Sequence, residues 1–438
     1  MATHSTNRCA FALGVVLFAA GCQGDPVQTT PTDATNLSYD AHTDGGTFDG
    51  ATIDSAGSDS VSGDSHTDSA SSETSAWMNL PVVHAHEAAA AERGEALFVD
   101  GELGRALVPT QGIESLWLVW GTGFMSGEAY WAAFRERYGF HEAPFDNDGY
   151  PLGIHRVSST MATFDCLMCH SDTVAGEVVI GAGNSVLEWQ RLHDDLLTLN
   201  GMAGQAGMPT MDPPWELEGV TGAPGANDAM GASFAFSTMI TGSSGIPGRG
   251  DVNTRMGFQQ PPAWWQLRYK NFIYSDGVAQ AGNLSTMQAM MLAFGELPNQ
   301  VEGMDDTFED IYQFALSTEP PRWPFEPPSE DAIERGREVF DMSCAGCHGT
   351  HTGPNAEYPD ALITTEDVGT DPTREDALRE LEADWANYGL PEDAQMTDTN
   401  GYLAPPLVGV WASAPYFHNG SVPTLAGVLD SLSRPARW

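Results

Sequence analysis

The chain has 438 residues and a formal net charge of −42, with 18 Lys and Arg residues against 60 Asp and Glu residues. Such acidity excludes nucleic acid as a default partner and disfavours docking on anionic lipid, because both carry charge of the same sign. It suits a basic electron-transfer partner, or a high-salt habitat in which acidic surfaces stay hydrated.

The first 21 residues are predicted to be an export signal. Arg8 precedes an apolar run over residues 9–20, which is too short to span a bilayer as a mature helix. The run ends in Ala19-Ala-Gly-Cys22, which resembles a bacterial lipoprotein cleavage box with Ala19 in place of the usual Leu. We therefore expect Cys22 to carry lipid and to anchor the protein to a bacterial membrane, with the outer membrane favoured, in the periplasm or at the cell exterior. Simple secretion is the alternative.

Residues 22–77 are predicted to form a disordered acidic tether. From Gln23 to Ala76 the chain is rich in Asp, Ser, Thr, Gly and Ala, with ten acidic residues and no Lys or Arg. Such a segment cannot bury enough apolar surface to offset its ordering entropy. The acidity extends beyond the tether, because −33 remains on residues 77–438 once these ten residues and Arg8 are set aside.

The body is predicted to be mainly α-helical with long irregular loops, in two cytochrome c-like haem domains, an N-terminal one at residues 78–327 with a large insertion and a C-terminal one at residues 328–438. A short repeat supports two units, since Glu92-Arg-Gly-Glu-Ala-Leu-Phe98 recurs as Glu334-Arg-Gly-Arg-Glu-Val-Phe340. In the second copy we expect Gly336 to allow close helix packing.

Local signals mark several elements of the body. The segment Glu319–Pro328 is too rich in proline for a helix or a central strand, and Ser329 is the expected N-cap of the next helix. Residues 201–250 and 349–373 are expected to be irregular, because they are rich in Gly and Pro. Glu177–Ile180 is the clearest strand candidate.

Two segments match the pattern that attaches c-type haem, and they are Cys166-Leu-Met-Cys169-His170 and Cys344-Ala-Gly-Cys347-His348. Two thiols three residues apart reach the two vinyl groups of one porphyrin, and the next histidine then lies beneath the iron as an axial ligand. We expect two covalently attached haem c groups, haem one on the first motif and haem two on the second. The alternatives are a zinc site, which would need the two cysteine pairs to meet, and a thioredoxin-like redox pair.

The far side of each iron decides the chemistry, because two strong ligands favour electron transfer and an open position permits reaction with oxygen or peroxide. His418 is the candidate distal ligand of haem two, with a surface loop histidine as the alternative and Met396 as the second candidate. His351 is too close in sequence to His348 to reach the far side.

No distal ligand of haem one stands out, and we expect this haem to be open or lightly covered. His193 lies in a predicted amphipathic helix, where a hydrated or salt-bridged side chain is expected. Three methionines in a loop could also reach the iron, and they are Met202, Met208 and Met211.

Trp264 and Trp265 lie between the two motifs in sequence. Adjacent tryptophans in a helix point to different faces, so at most one is expected to bridge the haems as an electron relay. Core packing is the alternative. Arg268 and Lys270 are candidates to pair with haem propionates, whose charge is costly in so acidic a protein.

Residues 404–425, Ala-Pro-Pro-Leu-Val-Gly-Val-Trp-Ala-Ser-Ala-Pro-Tyr-Phe-His-Asn-Gly-Ser-Val-Pro-Thr-Leu, resemble the signature of bacterial di-haem cytochrome c peroxidases and their relatives. Those relatives include the di-haem rubber oxygenases and the di-haem enzyme of methylamine dehydrogenase maturation. The Asn-Gly after His418 and the Pro-Pro-x-Trp-Trp stretch resemble the rubber-oxygenase branch more than true peroxidases. The resemblance implies a six-coordinate relay haem, here His348 with His418, and a reactive haem, here His170.

Two departures from the peroxidase pattern argue against the peroxidase gating scheme. Leu432 stands where peroxidases place a methionine ligand, and Val186 stands where they place a histidine. We expect a haem-dependent oxidoreductase, peroxidase-like or oxygenase-like, that receives electrons from a redox partner protein and acts on peroxide or dioxygen. A non-catalytic periplasmic electron carrier with both haems six-coordinate is the alternative.

Overall fold

A computed structural model describes residues 80, 82–101, 103, 108–206, 224–226, 258–293, 303–350, 356–376, 379 and 399–437. Residues Thr67–Trp438 form one compact unit. The expected signal and tether lie outside the described residues, and the predicted domain boundary at residue 328 stays a prediction. No helix within the described ranges is long and apolar enough to cross a membrane.

The described part of the chain is partly helical with little sheet, which agrees with the expected class at this coarse level. The helices are α1 (Ala88–Val99), α2 (Thr110–Ile113), α3 (Trp117–Trp120), α4 (Gly127–Tyr138), α5 (Trp189–Gln205), α6 (Leu284–Ala293), α7 (Asp305–Ser317), α8 (Glu330–Ser343), α9 (Ala345–His348), α10 (Thr365–Val368) and α11 (Leu425–Leu429). Short 3₁₀ turns occupy Cys166–Met168, Trp264–Tyr269, Val410–Ala412 and Ser431–Ser433.

The strands are short and antiparallel, and they are β1 (Val108–Pro109), β2 (Ile154–Arg156), β3 (Met161–Phe164), β4 (Ser171–Val174), β5 (Glu177–Ile180), β6 (Phe272–Ile273), β7 (Ala279–Gln280), β8 (Leu362–Thr364) and β9 (Gly401–Leu403). They form a three-stranded sheet in the order β1-β3-β2 and the pairs β4-β5, β6-β7 and β8-β9. The predicted strand Glu177–Ile180 is confirmed as β5, which pairs Ile180 with Ser171. β3 ends two residues before Cys166, so the first sheet leads directly into the first motif.

Helices α1 and α7 cross in direct backbone contact at Gly94. A Cβ atom at this position would lie 2.0 Å from the carbonyl oxygen of Asp310, so only a hydrogen fits. Arg93 holds the same aspartate through two hydrogen bonds of 2.8 and 2.5 Å. Phe98 packs against Phe314 with 5.7 Å between ring centroids. The first copy of the repeat is therefore a tightly packed helix.

The second copy of the repeat lies in α8 and packs differently. Ser329 caps this helix by accepting the backbone N–H of Ala332 at 3.3 Å, as expected. The expectation of close packing at Gly336 is wrong, because no atom of the described structure lies within 4 Å of a Cβ placed there. None of the α8 residues is buried. The same three residues, Glu-Arg-Gly, thus serve a helix contact in one copy and an exposed helix in the other.

An aromatic core lies between the first sheet and helices α4 and α5. It buries large rings and branched side chains, and its fully buried members include Ile113, Leu116, Phe134, Tyr138, Ile154, Leu187 and Leu192. Met168 belongs to this core and Cys169 packs against its edge. The core therefore forms one wall beside the first cysteine motif.

Residues 349–373 are less irregular than expected. Leu362–Thr364 forms β8, which pairs with β9, and Thr365–Val368 forms one helical turn. Thr364 caps that turn by accepting the backbone N–H of Asp367 at 3.1 Å. The partner strand begins at Gly401, so no signal within residues 349–373 alone could show the pairing.

Candidate haem sites

The first motif is a tight turn that begins at a capping aspartate. Asp165 accepts the backbone N–H of Leu167 at 2.7 Å and caps the 3₁₀ turn Cys166–Met168. The backbone N–H of His170 donates to the carbonyl of Cys166 at 2.9 Å. The two cysteines and the histidine are therefore presented from one short, closed segment.

A hydrogen bond at Nδ1 orients the His170 ring and leaves Nε2 for a metal. Nδ1 lies 3.2 Å from the carbonyl oxygen of Pro262, which can only accept, so Nδ1 carries the proton and the lone pair of Nε2 is available. Burial lowers the pKa of His170 to about 4, which keeps the ring neutral near pH 7. Trp264 stacks on the ring with 5.0 Å between centroids and 28° between planes. A neutral imidazole with a free Nε2 is the form that binds haem iron.

The second motif repeats this arrangement at the end of a longer helix. The backbone N–H of His348 donates to the carbonyl of Cys344 at 3.0 Å. The Nδ1 atom of His348 lies 2.8 Å from the carbonyl oxygen of Pro405, which again leaves Nε2 for a metal. Both acceptor carbonyls belong to Pro-Pro pairs that lie 92 and 57 residues beyond their histidines. The two motifs thus share a tautomer and the way in which it is set.

The four cysteines fit thioether attachment to haem. None of them forms a disulfide, and each keeps accessible surface. Cys166 is the most exposed of the four, and desolvation raises the pKa of its thiol to about 12. Within the described ranges, no three His, Cys, Asp or Glu side chains gather into a metal cluster, so the two cysteine pairs do not meet there as zinc would require. Accessible thiols beside a ligand-ready histidine are the donor set of haem c.

Buried histidine–aspartate contacts flank the first motif on both sides. Asp165, directly before the first cysteine, lies 2.5 Å from His155 Nε2. Asp172, two residues after the motif histidine, lies 3.3 Å from His141 Nε2. The second motif has Ser and Thr at these positions. The sequence analysis missed both pairs, although an aspartate on each side of one motif and not of the other was a visible signal.

Trp264 and Trp265 reach two different parts of the site. Trp264 stacks on His170, as described above. Trp265 is 1% exposed and donates its indole N–H to the carbonyl of Val408 at 3.0 Å. Val408 belongs to the loop whose proline carbonyl orients His348. The structure therefore places Trp264 against His170 and Trp265 against the loop that orients His348, while their role as a relay stays a prediction.

His418 lies on a loop that packs against Tyr402. The two rings stack with 4.1 Å between centroids and 23° between planes. Burial lowers the pKa of His418 to about 4, so this ring is also neutral near pH 7. Its ring nitrogens make no hydrogen bond to another described residue, and its backbone carbonyl accepts the N–H of Gln260 at 2.8 Å. Coordination of haem two by His418 stays a prediction.

A buried arginine and a buried lysine both lie near Asp276, and the arginine also lies near His418. Arg374 donates to Asp276 at 2.7 Å, and each of these side chains is 3% exposed. Lys270 is also buried, and desolvation lowers its pKa to about 8 despite two nearby carboxylates. Arg268 has another task, because its guanidinium donates twice to the carbonyl of Leu316 at the end of α7, at 3.1 and 2.6 Å. Lys270 remains the candidate for a propionate.

The remaining ligand candidates have mixed outcomes. Of the two alternatives for His193, hydration is wrong, because the side chain is 3% exposed and lies on the apolar stripe of α5 with Trp189, Leu192 and Leu196, whereas its contact with Asp194 agrees with the salt-bridged alternative. Its Nδ1 lies 3.3 Å from Asp194, and burial lowers its pKa. Met202 lies on the last turns of α5 and is 42% exposed. The others lie outside the described residues, and they are Met208, Met211, His351 and Met396.

Comparison with known proteins relates the C-terminal segment to a family of cytochromes. Residues 401–438 match the family described as RoxA-like, cytochrome c-like. The chain is 25% identical over 206 residues to the uncharacterized protein y4iM of Sinorhizobium fredii, covering 40% of this chain and 45% of that protein. It is 26% identical over 199 residues to the uncharacterized protein y4iJ of the same organism, covering 32% of each chain. The matched segments thus span less than half of either relative.

The family match covers β9, the loop that packs against Trp265 and the segment that contains His418. It indicates a haem-binding cytochrome with covalently attached haem c. It also supports, for this segment, the resemblance to one branch of the di-haem cytochromes.

Proposed function

We propose that the chain is an exported, lipid-anchored di-haem c-type cytochrome that passes electrons through haem two to a reactive haem one, which acts on peroxide or dioxygen. Haem one is attached at Cys166 and Cys169 with His170 as axial ligand. Haem two is held in the same way, with a candidate distal ligand, by Cys344, Cys347, His348 and His418. A basic redox protein donates the electrons, as the acidity of the chain favours.

The observation that carries this proposal is the pair of adjacent tryptophans that contacts one motif histidine and the loop that orients the other. Trp264 stacks on His170, and Trp265 is hydrogen-bonded to the loop that orients His348. One short, buried segment therefore contacts His170 directly and, through Val408, the loop that orients His348. Electron transfer between two redox groups requires such a packed connection. Two independent zinc or disulfide sites would not require one.

Two differences between the motifs support unequal roles. The second motif has His418 as a neutral, unbonded histidine among the described residues, whereas no comparable side chain stands out for the first. The first motif alone is flanked by buried histidine–aspartate contacts, which hold its turn and its surroundings in place. Bound haem supplies an iron that changes oxidation state and, at an open sixth position, binds a small oxidant.

The chain's own residues prepare that chemistry. The proline carbonyls fix the tautomers of His170 and His348, so that no proton must leave either ring before it coordinates iron. Trp264 holds the first ring by stacking. Lys270, buried near other charged side chains, offers a positive charge that can offset a propionate.

Electron paramagnetic resonance of the oxidised protein tests this proposal. We expect one high-spin signal from haem one beside one low-spin signal from haem two, and we expect peroxide to react only with the high-spin haem. His418→Gly should convert the second haem to high spin. The matched control His193→Gln should leave both signals unchanged, because we do not place His193 on either iron. Two low-spin haems without peroxide turnover would instead establish a non-catalytic electron carrier.

A further inference from the structure

An aromatic side chain beside the first motif has hydrogen bonds that the proposed function does not use. Tyr138, the last residue of α4, is fully buried. Its hydroxyl donates to Asp195 Oδ2 at 2.6 Å and accepts the indole N–H of Trp120 at 2.8 Å. Arg137 donates to the same carboxylate oxygen at 2.8 Å, so a positive charge lies directly beside this hydrogen bond. A phenol whose proton points at a carboxylate oxygen has a proton acceptor already in place.

A continuous row of aromatic rings joins this tyrosine to the first motif. Phe164, two residues before Cys166, lies 6.5 Å from Phe140 between ring centroids. Phe140 lies 5.3 Å from Phe134, and Phe134 lies 4.7 Å from Tyr138. Tyr138, Phe134, Phe140 and Phe164 all belong to one buried core, so the row of rings runs through packed side chains.

A second, polar connection runs beside the rings. The side-chain amide of Asn184 donates to the carbonyl of Met168, inside the motif, and to the carbonyl of Gly139, directly after Tyr138. Both hydrogen bonds measure 2.9 Å, and Asn184 is fully buried. The Asn184 side chain thus connects the end of α4 to the cysteine turn and fixes the distance between Tyr138 and the first motif.

We propose that Tyr138 is a one-electron donor to the haem-one site and that Asp195 accepts its proton. The inference rests on the proposed function, because the oxidant is haem one after its reaction with peroxide. One electron passes from Tyr138 to haem one. The phenolic O–H bond breaks, and the proton moves along the hydrogen bond to Asp195 Oδ2. The haem-one site is reduced by one electron, and a neutral tyrosyl radical remains, still bonded to the Trp120 N–H.

Neighbouring tyrosines show why Tyr138 is the donor. Tyr130 stacks on Trp120 with 5.2 Å between centroids, but its hydroxyl bonds to a backbone carbonyl that cannot take up a proton. Tyr150 donates to the carboxylate of Glu114 at 2.5 Å, but it lies one ring farther along the row, beyond a tryptophan. Burial raises the pKa of Tyr138, so the phenol keeps its proton until it is oxidised.

The partly exposed carboxylate end makes this site a place where a reductant can return the electron. The side chains of Asp195 and Arg137 are 15% and 34% exposed, and Trp120 is half-buried. A small reductant at this surface would therefore reach a tyrosyl radical through one layer of side chains. Oxidation of reductants at the surface then needs no access to haem one.

The test is freeze-quench electron paramagnetic resonance of the holoprotein after addition of one equivalent of hydrogen peroxide. We expect a tyrosyl radical in the unchanged protein, at least a tenfold lower yield in Tyr138→Phe, and a slower rise in Asp195→Asn. The matched control Tyr130→Phe should leave the radical unchanged. It removes a hydroxyl from the same core, but that hydroxyl bonds to a backbone carbonyl that cannot accept a proton. The same radical yield in Tyr138→Phe as in the unchanged protein would overturn the inference.

Failure of the proposed function can be separated from failure of this inference. If neither peroxide added to the oxidised protein nor dioxygen added to the reduced protein changes the absorption spectrum of haem one, the proposed function is wrong. The same variants are then oxidised by a flash-generated ruthenium(III) complex, which replaces haem one as oxidant. A tyrosyl radical that disappears in Tyr138→Phe and forms more slowly in Asp195→Asn supports the proton-coupled donor. Equal radical yields with and without Tyr138 overturn it.

Discussion

The Gly94 and Gly336 positions offer a matched pair of substitutions, because both follow Glu-Arg in a helix and their surroundings are opposite. At Gly94 a Cβ atom would meet the carbonyl oxygen of Asp310 at 2.0 Å and the Cβ of Phe314 at 2.8 Å. At Gly336 nothing in the described structure lies within 4 Å. We predict that Gly94→Ala destabilises the protein and that Gly336→Ala stabilises it.

The size of the change in stability at Gly94 follows from the movement of α1 and α7 that an added Cβ atom requires. A backbone carbonyl cannot rotate away, so α1 and α7 must separate by about 1.5 Å to restore an ordinary contact near ~3.5 Å. Overpacking of this kind costs about 1–3 kcal/mol. Alanine in place of glycine returns about 0.5–1 kcal/mol of helix propensity. The separation also weakens the hydrogen bonds of Arg93, so we expect a net loss of about 1–3 kcal/mol at Gly94 and a gain of about 0.5–1 kcal/mol at Gly336.

Urea and thermal unfolding of the holoprotein, followed by far-ultraviolet circular dichroism, measures both effects. The unfolding midpoint should decrease for Gly94→Ala and increase for Gly336→Ala, each by a few degrees. Equal shifts in the same direction would refute the reasoning, because they would mean that the two helices have similar surroundings.

Three further predictions concern buried polar groups. Trp265→Phe removes the hydrogen bond to Val408 and should lower the free energy of unfolding by about 1–3 kcal/mol. In flash photolysis the same variant should slow electron transfer between the haems. An unchanged rate would exclude Trp265 from the electron-transfer path. Burial lowers the pKa of His193, so the unfolded chain binds that proton more readily below about pH 6.5 and stability should decrease as the pH falls through that range. His193→Gln should flatten this dependence, and an unchanged slope of midpoint against pH would contradict the account. Arg374→Met removes the ion-pair partner of the buried Asp276 carboxylate and should lower stability by about 3–5 kcal/mol, whereas the double variant with Asp276→Asn should lose less.

Local signals in the sequence were enough for elements set by neighbouring residues. Ser329 caps the next helix, and Glu177–Ile180 forms a strand that pairs within its own hairpin. Both depend on contacts within about ten residues, so the chain itself supplies the partner nearby. The two cysteine motifs belong to the same group, since each turn closes on its own cysteine.

Features that depend on distant partners could not be read in the same way. Gly94 and Gly336 have the same preceding residues, and only the position of α7 makes one of them indispensable. The carbonyl that orients His170 lies 92 residues farther along the chain, and a carbonyl carries no sequence signal of its own. The sequence indicated a solvated or ion-paired environment for His193, but three apolar residues at helical spacing bury that face of α5.

The central claim is that each of the two cysteine motifs carries one covalently attached haem. Intact-mass spectrometry of the exported protein, together with its visible absorption spectrum, tests this directly. We predict a mass increase of two haem groups, which falls to one in the variant Cys344→Ser, Cys347→Ser and likewise in Cys166→Ser, Cys169→Ser. An exported protein that carries a single haem, or zinc and no haem absorption band, would contradict the account.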